Sequence, residues 1–282
     1  MVGTGAWRAV GALLATVIMI SAANAREWGD VAAPIPGPPT ILGSYVAGCI
    51  TGAVALPPEG PGYQVVRLLR RRYYGHPVLI DYLTQLGRRV ARARIGLAPI
   101  GDMAQPRGGP LAYGHASHQV GLDVDILLQP DLPLLPHQAR ELLVPVSVIN
   151  SASGRVDGHR FSNHDAELIH LATQDPRVAR IFVNPGIKLA MCQRRWSDRG
   201  FLRLLRPWYG HDDHFHVRLH CPPHSPSCDE QQALPPGDGC GAELLSWIRS
   251  RAAVPPAMPK PNLPHVQRAP LPQACREVLE AP

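Results

Sequence analysis

The chain has 282 residues, a formal net charge of +6 and 45% hydrophobic residues, enough for a sizeable core, which excludes global disorder. Its 31 prolines and 26 glycines exclude an architecture dominated by long helices, and the glycines lack the period of three that marks collagen. Aromatic residues are only 6% and the basic excess is modest, so no nucleic-acid partner is expected and the Lys and Arg residues read as a mildly cationic surface.

Residues 11–20 (GALLATVIMI) form an apolar run, preceded by Arg8 and followed by Ala23-Asn24-Ala25. A charged start, a short apolar core and small residues at the cut predict a signal peptide over residues 1–25. The run is too short to span a hydrocarbon core of about 30 Å, so no stable membrane anchor is expected after cleavage. Residues 26–62 are rich in Pro and Gly and predict an irregular arm on the surface. Over 77–95 the helical spacing of Leu79, Ile80, Leu83, Leu86 and Val90 predicts a helix. Residues 98–113 read as turns and loops, and 122–128 (LDVDILL) alternate as a strand. Short helices are predicted at 136–145 and 163–174, and a strand at 180–184 ended by Pro185-Gly186. A further strand is predicted at 214–220 (HFHVRLH) and a helix at 241–250. Seven prolines over 255–272 predict a semi-rigid extended tail.

The six cysteines are Cys49, Cys192, Cys221, Cys228, Cys240 and Cys275. An even count in an exported chain reads as disulfides, and with no Cys-x-x-Cys pair a zinc knot or thioredoxin-type site is not expected. Composition and spacing do not choose among the pairings, although Cys221 and Cys228, enclosing Pro222, Pro223 and Pro226, are compatible with a small local loop.

Two clusters carry the chemistry: His115-Ala116-Ser117-His118 running to Asp123-Val124-Asp125, and His211-Asp212-Asp213-His214-Phe215-His216. On the first strand Asp123 and Asp125 share one face and Leu122, Val124 and Ile126 the other; on the second, His214 and His216 oppose Phe215 and Val217. If the strands are neighbours, their polar faces converge, and Gly121 permits a sharp turn that brings His118 over the strand. Two neutral imidazoles and one carboxylate suit zinc, and three protein ligands leave the open position of a catalytic site. An isolated His or Asp at a strand end is ordinarily solvated or hydrogen-bonded; two clusters with matched faces favour a metal. There is no Gly-x-Ser-x-Gly elbow, His-Glu-x-x-His helix, P-loop or dinucleotide fingerprint.

At these clusters the chain resembles the penicillin-insensitive murein endopeptidases, periplasmic metallopeptidases that cleave peptidoglycan. Their wider group includes lysostaphin-type enzymes, D-Ala-D-Ala metallopeptidases and the hedgehog domain. The resembling stretches are YQVVRLLRRRYYGHP (63–77), IGDMAQPRGG (100–109), GHASHQVGLDVDI (114–126), RIFVNPGIK (180–188), RPWYGHDDHFHVRLHC (206–221) and GDGCGAEL (237–244). The resemblance implies zinc on His118, Asp125 and His216, with His115 a further metal ligand. It implies His214 as general base or acid, and His211 as a second catalytic histidine that stabilises charge on the attacked oxygen or orients water. It also implies the pairs Cys49–Cys275, Cys192–Cys240 and Cys221–Cys228, and leaves a homodimer open.

The expected fold is α+β, a small antiparallel central sheet carrying the zinc site, flanked by helices and long Pro/Gly-rich loops. The expected organisation is a signal peptide (1–25), a zinc metallopeptidase domain (26–254) and a proline-rich tail stapled back by a disulfide (255–282). The expected function is zinc-dependent hydrolysis of D-alanyl–meso-diaminopimelyl cross-links between peptidoglycan stem peptides in the periplasm. Two alternatives are a D,D- or L,D-carboxypeptidase on the same site and a non-catalytic zinc-binding cell-wall module. The carboxypeptidase requires a positive group to hold the substrate's free C-terminus.

Overall fold

The apolar stripe over 77–95 folds as a helix, α1 (Pro77–Ala93), whose Leu79, Tyr82, Leu83, Leu86 and Val90 are wholly buried. Its start is written locally: Pro77 occupies the first turn, and His76 Nδ1 accepts a hydrogen bond from Val78 N at 3.1 Å. The computed structural model describes residues 27–252 and 270–282. The signal-peptide segment and most of the proline-rich tail therefore lie outside the described residues.

Before α1 come six strands: β1 (Thr40–Ser44), β2 (Ala47–Thr51), β3 (Val54–Ala55), β4 (Glu59–Gly60), β5 (Tyr63–Val65) and β6 (Tyr74–Gly75). After it come β7 (Ala98–Ile100), β8 (Asp123–Leu127), α2 (His137–Glu141), α3 (Asn163–Ala172), β9 (Val178–Val183) and α4 (Pro185–Gln193). The chain then forms β10 (Leu205–Pro207), β11 (His214–Leu219), α5 (Ala242–Ala252) and α6 (Ala274–Glu280). The fold is mixed α+β. Its main sheet has seven strands in the order β10-β9-β11-β8-β7-β5-β4. The pairs β9–β10 and β5–β7 are parallel and the others antiparallel, so a small antiparallel sheet describes only the centre of this larger one.

On one side of the sheet Ile100, Val124, Ile126, Ile181, Phe215 and Val217 join the α1 side chains in the core. The opposite side carries Asp123, Asp125, His216 and Arg218, all buried but polar. Period-two alternation thus divides each central strand between core and site.

Among the described residues, 40–62 do not form an irregular arm. β1 and β2 pair as a hairpin in the register Ile41↔Ile50 and Leu42↔Cys49, with Ile41 and Ile50 buried. The hairpin clasps the loop before β8, where Ile50 N donates to Arg107 O at 3.0 Å. Strands of five residues broken by Gly43 and Gly48 carry too little alternation to stand out from a Pro/Gly-rich background. The 98–113 segment likewise opens with a strand, β7, buried throughout.

The disulfides are Cys49–Cys275, Cys192–Cys240 and Cys221–Cys228. The first ties α6 to β2, and Arg107 reinforces that junction by donating to Val278 O at 3.0 Å and Ala281 O at 2.7 Å.

Gly121 turns the chain into β8 at φ +70°, where an added Cβ would stand 2.8 Å from the backbone nitrogen of His76. Left-handed strain of about 1–2 kcal/mol adds to that clash, so Gly121→Ala is expected to lower unfolding stability by about 2 kcal/mol or more. Urea unfolding checks this, and a loss below about 0.5 kcal/mol would show that the turn relaxes freely.

Candidate metal centre

Strands β8 and β11 are hydrogen-bonded neighbours, pairing His214 with Leu127, His216 with Asp125 and Arg218 with Asp123. Phe215 and Val217 fall opposite Ile126 and Val124 on the core side. The polar faces therefore converge as their alternation predicts. His118 enters from the loop before β8 in a left-handed conformation, φ +68°, which costs a non-glycine residue of order 1–3 kcal/mol. Asp123 Oδ2 holds that turn by accepting from His118 N at 3.0 Å.

The six sequence-predicted residues gather in one place. His115, His118 and Asp125 each offer a ligand atom, all within 4.8 Å of one another. His118 Nε2 lies 3.4 Å from Asp125 Oδ1, and His216 Nδ1 lies 3.3 Å from the same oxygen. His115 Nε2 is 3.4 Å from Asp125 Oδ2. His214 Nε2 stands 3.8 Å from Asp125 Oδ1, while the His211 ring lies 5.1 Å from that of His214.

Both ring nitrogens of His118, Oδ1 of Asp125 and Nε2 of His216 are buried without a hydrogen-bond partner. His216 Nε2 is 3.1 Å from Asp123 Oδ1 but lacks the alignment of a hydrogen bond. Each orphaned polar atom costs about 1–3 kcal/mol. The orphans of His118 and Asp125 lie at the point of convergence; the orphaned His216 Nε2 faces Asp123, and the nitrogen that His216 turns to Asp125 is Nδ1. A cation satisfies imidazole lone pairs and a carboxylate together, so the donor set fits zinc.

Electrostatics separate the two remaining histidines. Burial by itself would lower His214, but the carboxylates of Asp125 and Asp213 outweigh it and lift its pKa to about 9. Its Nδ1 lies 2.5 Å from Asp213 Oδ1. Burial, with His216 and His214 beside it, pushes His211 down to about 3, so it is neutral. Its Nδ1 faces the carbonyl oxygen of Tyr209 at 3.3 Å, which places the ring proton on Nδ1 and leaves Nε2 as an acceptor.

Sequence reasoning missed the partners. Asp123 is wholly buried and accepts from Arg218 Nε at 2.7 Å and Nη2 at 3.1 Å. Asp102 Oδ2 lies 3.2 Å from His115 Nε2 and accepts from Arg72 at 2.8 Å and Arg70 at 3.1 Å. Alternation on β8 had placed Asp123 on the site face, which was its one legible signal.

The sequence profile described as penicillin-insensitive murein endopeptidase matches residues 41–280. This places the chain among peptidases. It belongs to the penicillin-insensitive murein endopeptidase family. A protein of that name from Haemophilus influenzae is 44% identical over 288 residues, covering 96% of this chain and 96% of the relative. Namesakes from Salmonella heidelberg and Klebsiella pneumoniae are each 43% identical over 274 residues, covering 95% of this chain and 96% of the relative.

Proposed function

We propose that this chain is a zinc-dependent murein endopeptidase that hydrolyses D-alanyl–meso-diaminopimelyl cross-links between peptidoglycan stem peptides in the periplasm. The observation that carries the reading is the buried convergence of His118 Nε2 and His216 Nδ1 on Asp125 Oδ1, with both His118 nitrogens and that oxygen unpartnered, in a chain of this family. Those three residues would hold the metal, with His115 as a further ligand. Zinc, when bound, supplies a positive charge that polarises the scissile carbonyl and makes water acidic enough to attack it.

The chain's own groups do the rest. His214 accepts a proton at Nε2 while Asp213 fixes its Nδ1, the arrangement of an oriented general base. With a cation held by Asp125, His214 would feel less of that carboxylate's field and would return toward the neutral range where a base works. Neutral His211 offers Nε2 as an acceptor and orients water; holding an oxyanion would need its protonated form. All six cysteines are disulfide-bonded, so no thiol nucleophile is offered. A secretory signal over 1–25 delivers the chain to the compartment where its disulfides form. Among the described residues no helix is long and apolar enough to cross a membrane.

The test is digestion of purified cross-linked sacculi with the fragments identified by mass. Stem-peptide monomers should replace cross-linked dimers, chelation should abolish this and penicillin should leave it unchanged. Full activity after exhaustive metal removal would sink the metalloenzyme reading, and release of single D-alanines instead of monomers would favour the carboxypeptidase.

A further inference from the structure

Beside the metal centre lies a cavity of about 120 Å³ whose wall includes Asp125, His115 and His214 together with Asp102, Asp213 and Arg67. Each charged neighbour of Arg67 in this wall already has a partner. Asp102 is held by Arg70 and Arg72, at 3.1 and 2.8 Å. Asp213 is matched by His214 at 2.5 Å, and Asp125 faces the imidazoles that surround it. Arg67 alone makes no close ion pair with them, although Asp102, Asp213 and Asp125 all act on it through space. Its Nε and Nη2 converge on a single carbonyl, Leu143 O, at 3.3 and 3.0 Å, and that oxygen carries no charge to compensate the guanidinium. Nη1 has no acceptor among the described residues.

The backbone holds this arrangement at a cost. Arg67 sits at φ +59°, a left-handed conformation that a non-glycine residue adopts only when its surroundings impose it. Its N–H donates to Arg140 O at 3.2 Å, which anchors the residue at the cavity edge. A half-buried arginine whose nearby carboxylates are committed to other cations is incompletely compensated in the free protein and gains a direct partner when an anion arrives. The planar guanidinium fork matches a carboxylate.

We infer that Arg67 is the carboxylate-binding residue of this site and reads the carboxylate adjacent to the scissile nitrogen of the substrate. The inference rests on the murein endopeptidase reading. In a D-alanyl–diaminopimelyl cross-link the nitrogen released by hydrolysis is attached to a carbon that also bears a free carboxylate. With the scissile carbonyl at the metal centre, that carboxylate is only a few bonds away, within the span of a cavity shared by His214 and Arg67. Arg67 therefore acts as a specificity-determining residue, selecting amide bonds whose leaving amine carries a carboxylate over ordinary internal peptide bonds.

The test uses two cross-linked muropeptide dimers that differ only at this carboxyl, free in one and converted to the primary amide in the other. The metal-loaded wild-type enzyme should cleave the amide with kcat/KM lower by on the order of a hundredfold. Arg67→Gln should lose a similar factor on the free acid and show nearly equal rates on the two substrates, while Arg67→Lys should fall between. Metal content and melting temperature report whether the variants fold; if they do not, the wild-type ratio decides alone. Equal wild-type rates on acid and amide overturn the role of Arg67 and leave the endopeptidase reading standing. Cleavage of neither dimer overturns that reading and this inference with it.

Discussion

His216→Ala is expected to lose bound metal together with activity, whereas His214→Ala keeps near-stoichiometric metal while turnover falls by roughly a hundred- to ten-thousandfold. The two residues are neighbours on one face of β11, but the sheet treats them differently. His216 is almost wholly buried and opposes Asp125, with Nδ1 3.3 Å from Asp125 Oδ1. Removing His216 leaves His118 and Asp125, with only the further ligand His115 beside them, a set that should hold zinc more weakly. The His214 side chain is 21% exposed, lines the cavity and is steered by Asp213 through Nδ1, as proton exchange with solvent and substrate requires. Metal analysis beside a muropeptide cleavage assay checks both variants. Retention of zinc by His216→Ala and its loss by His214→Ala would invert the assignment. A His214→Ala enzyme with full zinc and full activity would remove His214 from the mechanism.

Arg218→Met is expected to destabilise the fold by about 3–5 kcal/mol, the cost of leaving a buried carboxylate without its partner. Burial by itself would raise the Asp123 carboxyl; Arg218 and His216 hold it well below the usual carboxylate range. The guanidinium is itself packed between rings, 4.2 Å from the Tyr45 centroid and 5.3 Å from that of Phe182. Because Asp123 orients the turn that carries His118, the variant should lose metal affinity as well as stability.

The double variant Asp123→Asn/Arg218→Met removes both charges and should recover part of the loss. It should also weaken the acid dependence of stability. A carboxyl depressed in the folded state contributes fully above its unfolded pKa of about 3.9. That contribution is lost as pH falls from there through the lower folded value. Urea unfolding as a function of pH follows both effects. A single-variant loss below about 1 kcal/mol would show that water reaches Asp123 and replaces the arginine.

The amino-acid sequence by itself determined those features that depend on neighbours along the chain. Helix α1 was legible because its apolar stripe and the Pro77 start lie within one segment, and β8 and β11 because alternation separates Val124 and Phe215 from Asp125 and His216. Alternation likewise put Asp125, His214 and His216 on the polar faces, whereas the family resemblance implied the ligand and catalytic roles, singled out His115 and His211, and gave the three cysteine pairs. The β1–β2 hairpin was not, since its short strands are stabilised by docking on the loop near Arg107 rather than by their own pattern. Nor were Arg218 as the partner of Asp123, Asp102 beside His115, or Arg67 without a close ion pair. Tertiary structure decided these, because whether a charge is paired depends on distances of about 3 Å between segments far apart in the chain, such as Asp123 with Arg218 and Asp102 with His115.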